Sequence, residues 1–270
     1  MTGCRLRVIF WTGVALTAFF VSNAMHGQSA PPAATIPAHA TPAALPARCA
    51  VNAQDQALLT DFANLKEFQA ANEALNPPLP GQDRVVFMGD SITAGWKFDG
   101  LDGSFQGKPY LNRGISGQTT PQMLLRFRQD VIDLKPAVVV ILAGTNDIAG
   151  NTGPMTLEQT EDNLKSMADL ATANGIRVVL SSVLPAFDYP WRPGLTPAPK
   201  IIEINKWMSA YAAGKGYVYV DYWSAMKDDR GGLPETLSKD GVHPESAGYA
   251  VMTPLVETGI QKALQGRAQH

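Results

Sequence analysis

Short runs of β-branched and apolar residues alternate along this chain with longer amphipathic stretches, and that alternation restricts the fold more than any other feature. The runs occupy residues 84–88, 137–143, 176–183 and 217–221, with a weaker one at 110–112. They are apolar throughout rather than at every second position, so they read as strands buried on both faces. Helical periodicity fills residues 120–134, 157–173, 200–213 and 246–264. Strands separated by helices need crossover connections, which predicts a parallel sheet with right-handed crossovers. The expected fold class is therefore α/β, a three-layer α/β/α sandwich. In such a sheet, ligands bind beyond the carboxyl ends of the strands.

The segment before this pattern has a different composition. Arg5 and Arg7 precede an apolar run over 8–21, and Ser22-Asn23-Ala24 supplies small residues at the positions a signal peptidase reads, so residues 1–24 are expected to be an export signal. The run is shorter than the roughly 20 residues that span a bilayer, which favours cleavage and argues against stable membrane insertion afterwards. Residues 25–50 are rich in Pro and Ala with almost no large apolar side chains, and are expected to form a disordered linker. The remaining span, 51–270, is about 220 residues and suits one domain. Its first part places Leu58, Phe62, Leu65 and Phe68 at helical spacing, which predicts a helix over 52–75 ended by Pro77-Pro78. Cleavage would remove Cys4 and leave Cys49 alone, so no intrachain disulfide is expected in a periplasmic or extracellular product.

The formal charge of −2 is spread along the chain without basic runs, which argues against a nucleic-acid partner and suits a small or neutral one. No metal or other cofactor is expected, because one loop histidine and one linker cysteine do not make a ligand cluster. Nothing in the sequence specifies an oligomer. Of the four histidines, His26 lies at the signal boundary, His39 in the linker and His270 at the last position, leaving His243 as the imidazole inside the domain.

Three motifs fall where the alternating pattern places strand ends and the loop before the last helix: GDSITAGW at 89–96, GTND at 144–147 and DGVHP at 240–244. A fourth, GISGQTT, follows the weak strand at 114–120. In this order and spacing, over about residues 84–265, the chain resembles the SGNH or GDSL-type hydrolases, esterases that include lysophospholipases, arylesterases, platelet-activating-factor-type acetylhydrolases and carbohydrate deacetylases. The resemblance implies a flavodoxin-like, five-stranded parallel sheet and a serine esterase without cofactor. It implies Ser91 as nucleophile, Asp240 and His243 as the rest of a triad, and Ser91, Gly117 and Asn146 as the oxyanion hole. Ile92 stands where the family name has Leu, an ordinary apolar exchange.

The chemistry of these residue types agrees with those roles. A serine hydroxyl needs a base within hydrogen-bond reach, and His243 is the available one. Asp240 precedes it by three positions, close enough to accept from Nδ1 and turn Nε2 toward Ser91. Backbone N–H groups of Ser91 and Gly117 and the Asn146 amide are donors suited to a developing oxyanion, and a glycine lets its N–H approach closely. Asp90 is expected to bond to backbone in its turn, and Asp147 to be structural.

For substrate choice, the proline-rich segment 185–199 is long for a connection and sits at the strand edge that carries the motifs. Tyr189, Trp191 and Arg192 from it, and Trp96 after the nucleophile, are candidate substrate contacts, with packing of the loop as the competing role. The substrate is expected to be a small-molecule, glycan or lipid ester, with a short acyl or acetyl group. The alternatives are a lysophospholipase or thioesterase of longer acyl preference, or a non-catalytic glycan-binding protein on the same fold.

Overall fold

The computed structural model describes residues 52–99 and 103–266. The expected signal and linker, with Cys4, His26, His39 and Cys49, lie outside them, as does His270. Five strands form the sheet: β1 Val85–Gly89, β2 Tyr110–Gly114, β3 Val138–Leu142, β4 Arg177–Ser181 and β5 Val218–Val220. All pair in parallel, in the order β2-β1-β3-β4-β5, the flavodoxin-like order of the doubly wound folds. The reading of fold class and strand number is thus borne out. The weak run at 110–112 is a full strand extending to Gly114.

The period-two geometry of each strand divides its apolar residues between two cores. Val86, Met88, Val139, Ile141, Val178 and Leu180 face one layer, built from helices α4 Thr120–Asp130, α6 Leu157–Ala173 and α7 Ala198–Lys215. Val85, Phe87, Val140, Leu142 and Val179 face the other, where α8 Tyr222–Met226 and α9 Ser246–Gln265 pack. Both faces being covered is why these strands are apolar at every position. Three further short helices carry site residues or lead into the sheet: α1 Ala53–Thr60 and α2 Gln69–Glu73 at the start, and α3 Ser91–Ala94 after β1. A fourth, α5 Thr145–Ala149, follows β3.

Two helix boundaries differ from expectation. The helix expected over 52–75 is broken at Asp61, whose carboxylate accepts the N–H groups of Leu65 and Lys66 at 2.9 and 3.3 Å, while Asn64 turns to φ +51°. Competition from a short acidic side chain for backbone donors is what interrupts the helical ladder. The resulting strap is held by glutamines: Gln118, Gln122 and Gln129 donate to the carbonyls of Ala63, Phe62 and Leu65 at 2.8, 2.6 and 2.7 Å. Helix α4, expected to reach residue 134, stops at Asp130 and tightens into a 3₁₀ turn over Ile132–Leu134 that ends in left-handed Lys135.

Candidate active site

Three of the motifs begin at or just after the end of a strand, and the fourth lies in the loop before α9. Strand β1 runs out at Gly89, and Asp90 caps α3 by accepting the Ile92 N–H at 2.9 Å, which makes Ser91 the first residue of the helix. Residues Ile115 to Gln118 form a turn closed by Gln118 N–H to Ile115 O at 3.3 Å, with Gly117 at φ +78° in its third position. A Cβ built there would meet nothing within 4 Å, so the positive φ rather than crowding is what calls for glycine. After β3, Gly144 at φ +128° starts α5 and places Asn146, 3% exposed, beside both turns.

Asp240 and His243 lie in the loop before α9. One Asp240 oxygen, Oδ1, accepts the Val242 and His243 backbone N–H groups at 2.9 and 2.8 Å and the Ser238 hydroxyl at 3.0 Å. That local turn presents Oδ2 to His243 Nδ1 at 2.6 Å, while His243 Nε2 reaches Ser91 Oγ at 2.8 Å across 152 positions of sequence. Partial burial disfavours the Asp240 charge, but the bonds from the His243 ring and the two backbone N–H groups outweigh it and hold the carboxyl down at about 2. Asp240 is thus a fixed anion at neutral pH, arranged to accept from Nδ1.

The structure therefore brings together Ser91, His243, Asp240, Gly117 and Asn146. The Asn146 amide donates to Asp90 Oδ2 at 3.2 Å and to the Gln118 carbonyl at 3.0 Å. Among the described residues, no protein acceptor takes the N–H of Ser91 or of Gly117. Burial pushes the Asp90 carboxyl up to about 7, against the opposing Ile92 N–H. Asp147 is raised to about 6 by burial, opposed by bonds from the Thr120 hydroxyl and N–H, and it ties α5 to the start of α4.

An open cleft of about 940 Å³ lies over Ser91 and His243. Trp191 and Arg192 line it. Their loop is ordered by Asp188, whose carboxylate accepts the N–H groups of Tyr189, Gly194 and Leu195 at 2.9, 2.7 and 3.2 Å. Tyr189 does not reach the cleft: it is fully buried and supports Trp191 from below, the rings stacked at 5.0 Å. Trp96 does not reach it either. At 3% exposure it packs among Phe87, Phe98, Phe105 and Tyr249 and donates to Ser104 Oγ at 3.0 Å, so it is a core residue.

Several contributors were not singled out in the sequence. Helix α1 contributes Leu58 to the cleft wall, and the strap contributes Phe62 and Lys66. Arg126, fully buried on α4, donates to the Gly89 carbonyl at 3.1 Å, to Gln118 Oε1 at 2.6 Å and to Asp130 at 3.0 Å, so it joins the end of β1 to the Gly117 turn. An arginine at an inward position of an amphipathic helix was the available signal. Among the described residues, no three His, Cys, Asp or Glu side chains gather to hold a metal, and no helix is long and apolar enough to cross a membrane.

The sequence model of the GDSL-like lipase/acylhydrolase family matches residues 87–251, which contain every motif placed around this cleft. The chain belongs to that family. As a GDSL acylhydrolase it is a carboxylic ester hydrolase. It is 30% identical over 175 residues to esterase TesA of Pseudomonas aeruginosa, covering 60% of this chain and 80% of that protein. A GDSL-like lipase of Bacteroides thetaiotaomicron has a crystal structure similar to this one, with a TM-score of 0.72 at 48% identity over 75% of this chain and 99% of that chain. An acetylxylan esterase of Xylanibacter ruminicola is 27% identical over 222 residues, 68% of this chain and 45% of that longer protein. The strap and both short helices that flank it precede the part of the GDSL module that the family model covers.

Proposed function

We propose that this GDSL acylhydrolase is an exported serine esterase that cleaves short-chain acyl or acetyl esters through an acyl-enzyme. The observation that carries the mechanism is the unbroken chain from Ser91 Oγ to His243 Nε2 at 2.8 Å and from Nδ1 to Asp240 at 2.6 Å. Ser91 Oγ attacks the ester carbonyl carbon while its proton passes to Nε2. Asp240 accepts the Nδ1 proton's hydrogen bond throughout and stabilises the imidazolium. The oxygen of the tetrahedral intermediate takes hydrogen bonds from the N–H groups of Ser91 and Gly117 and from the Asn146 amide, which exchanges its 3.2 Å bond to Asp90 Oδ2 for one to the oxyanion. As the carbonyl re-forms, the alcohol leaves with the Nε2 proton. Water then repeats the sequence on the acyl-serine, giving the carboxylic acid and free Ser91.

Support for a short acyl group comes from the cleft. Most of the residues that line it are polar types, among them Asn64, Gln122, Asn151 and Thr152, and Trp96 is a core residue that does not open into it. The acetylxylan esterase among the relatives agrees with an acetyl ester of a polyhydroxylated alcohol. Export rests on the signal-like residues 1–24 and the Pro/Ala-rich residues 25–50.

The test is a series of p-nitrophenyl esters from acetate to laurate with wild-type protein and Ser91→Ala. We expect kcat/KM to be highest for the shortest acyl groups, and Ser91→Ala to lose hydrolysis with an unchanged melting temperature. A folded Ser91→Ala protein that keeps more than a few per cent of wild-type kcat refutes the nucleophile, and a maximum at long chains refutes the short-acyl preference.

A further inference from the structure

We infer that Asn151 is a positioning residue that sets which end of the Asn146 amide faces the reaction, and that the indole of Trp191 sets Asn151 in turn. This rests on the proposed role of Asn146 as an oxyanion donor. An asparagine amide has a donor end and an acceptor end of nearly equal shape, so only its partners fix which one meets the substrate. The partners here form an ordered chain. An indole N–H can only donate, and Trp191 Nε1 lies 3.0 Å from Asn151 Oδ1, which leaves the Asn151 nitrogen facing the other way. That nitrogen donates to Asn146 Oδ1 at 2.7 Å and reaches the Gly117 carbonyl at 3.3 Å. The Asn146 nitrogen is thereby turned to Asp90 Oδ2 and the Gln118 carbonyl. A reversed Asn146 amide would set its oxygen against the Gln118 carbonyl and its NH₂ against that of Asn151, losing both of those bonds.

The backbone places Asn151 for this task. Helix α5 ends in a Schellman motif, with Gly150 N–H donating to Asp147 O and Asn151 N–H to Asn146 O, both at 3.0 Å. Gly150 takes the left-handed conformation that the motif needs, φ +70°. Asn151 therefore grips Asn146 twice, at its carbonyl through the main chain and at its amide through the side chain. Trp191 is anchored from below on Tyr189, and its ring lies 6.0 Å from that of His243. The loop over 185–199 and the oxyanion donor are in this way one hydrogen-bonded unit, and the loop's tryptophan acts on the reaction through Asn151.

A double-mutant cycle on the full-length protein tests this, read as kcat and KM on p-nitrophenyl acetate. Asn151→Leu keeps the volume and removes both amide ends. It should lower kcat by about tenfold or more with KM within about twofold, the pattern of an interaction that acts on the transition state. In an Asn146→Ala background the same substitution should change kcat by less than about twofold, because its route to the reaction is already gone. Trp191→Phe keeps a ring on Tyr189 but deletes the N–H. It should lower kcat in the same direction, and should add nothing once Asn151 is leucine. This arm carries the test if Asn151→Leu does not fold, read against Asn146→Ala in the same way. Equal losses in both backgrounds, or wild-type kcat for the folded single variants, overturn the inference. Wild-type kcat in Asn146→Ala itself would refute the oxyanion role and the inference with it, which separates the two failures.

Discussion

Asp240→Asn should silence the enzyme by forcing His243 into the wrong tautomer, and the surrounding bonds say which way the new amide must point. Asp240 Oδ1 receives two backbone N–H groups, from Val242 and His243 at 2.9 and 2.8 Å, and neither can turn into an acceptor. Placing an NH₂ there would leave those donors facing another donor, at a cost of about 1–3 kcal/mol each. The amide oxygen therefore keeps the Oδ1 position, and the NH₂ occupies the Oδ2 position 2.6 Å from His243 Nδ1. Nδ1 must then accept, so Nε2 carries the proton and donates toward Ser91, where the proposed mechanism needs it to receive. We expect kcat on p-nitrophenyl acetate at neutral pH to fall by about 10³–10⁴ with little change in KM. Asp240→Ala should be less damaging to rate, by roughly tenfold or more, because the aspartate side chain is 41% exposed and water can take its place as acceptor of Nδ1–H. Stability gives a second reading. The carboxyl lies at about 2 against an ordinary 3.8, a difference worth about 2 kcal/mol if fully buried and about 1 kcal/mol after screening at this exposure. Because the native value is the lower one, that contribution is present above about pH 4 and is lost as pH falls toward 2. An Asn variant that keeps more than about a tenth of wild-type kcat, or that outperforms the Ala variant, refutes the tautomer argument.

Asp90 makes the opposite prediction for pH. Burial raises its carboxyl to about 7, so the native state holds a proton that the unfolded chain releases near pH 4, and stability should fall as pH rises between those values. Asp90→Asn should flatten the fall in melting temperature between pH 5 and 8, leaving the smaller slope of Asp147, and an unchanged slope would show that Asp90 is ionised throughout. Arg126→Met removes a fully buried cation and leaves Asp130, 1% exposed, with the Asn72 amide but without its ion-pair partner, which should cost about 3–5 kcal/mol in urea unfolding; Arg126→Met with Asp130→Leu should recover much of it. A single-variant loss below about 1 kcal/mol would mean that Arg126 does not hold α4 to the end of β1.

What the sequence determined by itself was whatever local patterning controls. Continuous apolar runs at 85–89 and 138–142 can satisfy both of their faces only inside a covered parallel sheet, so the layers and the strand count were legible without coordinates. The turn chemistry of Asp90-Ser91 and of Asp240 to His243 was legible for the same reason, since each acts within three positions of chain. Tertiary structure alone decided the rest. Trp96 and Tyr189 look like binding residues in sequence, and only the packing of Phe87, Tyr249 and Trp191 around them shows that they are buried. Asp61 breaks a sound apolar stripe because its carboxylate and three glutamines, Gln118 before α4 and Gln122 and Gln129 on it, offer the strap's backbone better partners than the helix does, a competition that periodicity does not register. Asn151 and Arg126 act by bonds to residues from other elements, and a polar side chain's partners 37 or 40 positions away are set by the fold rather than by its neighbours in sequence.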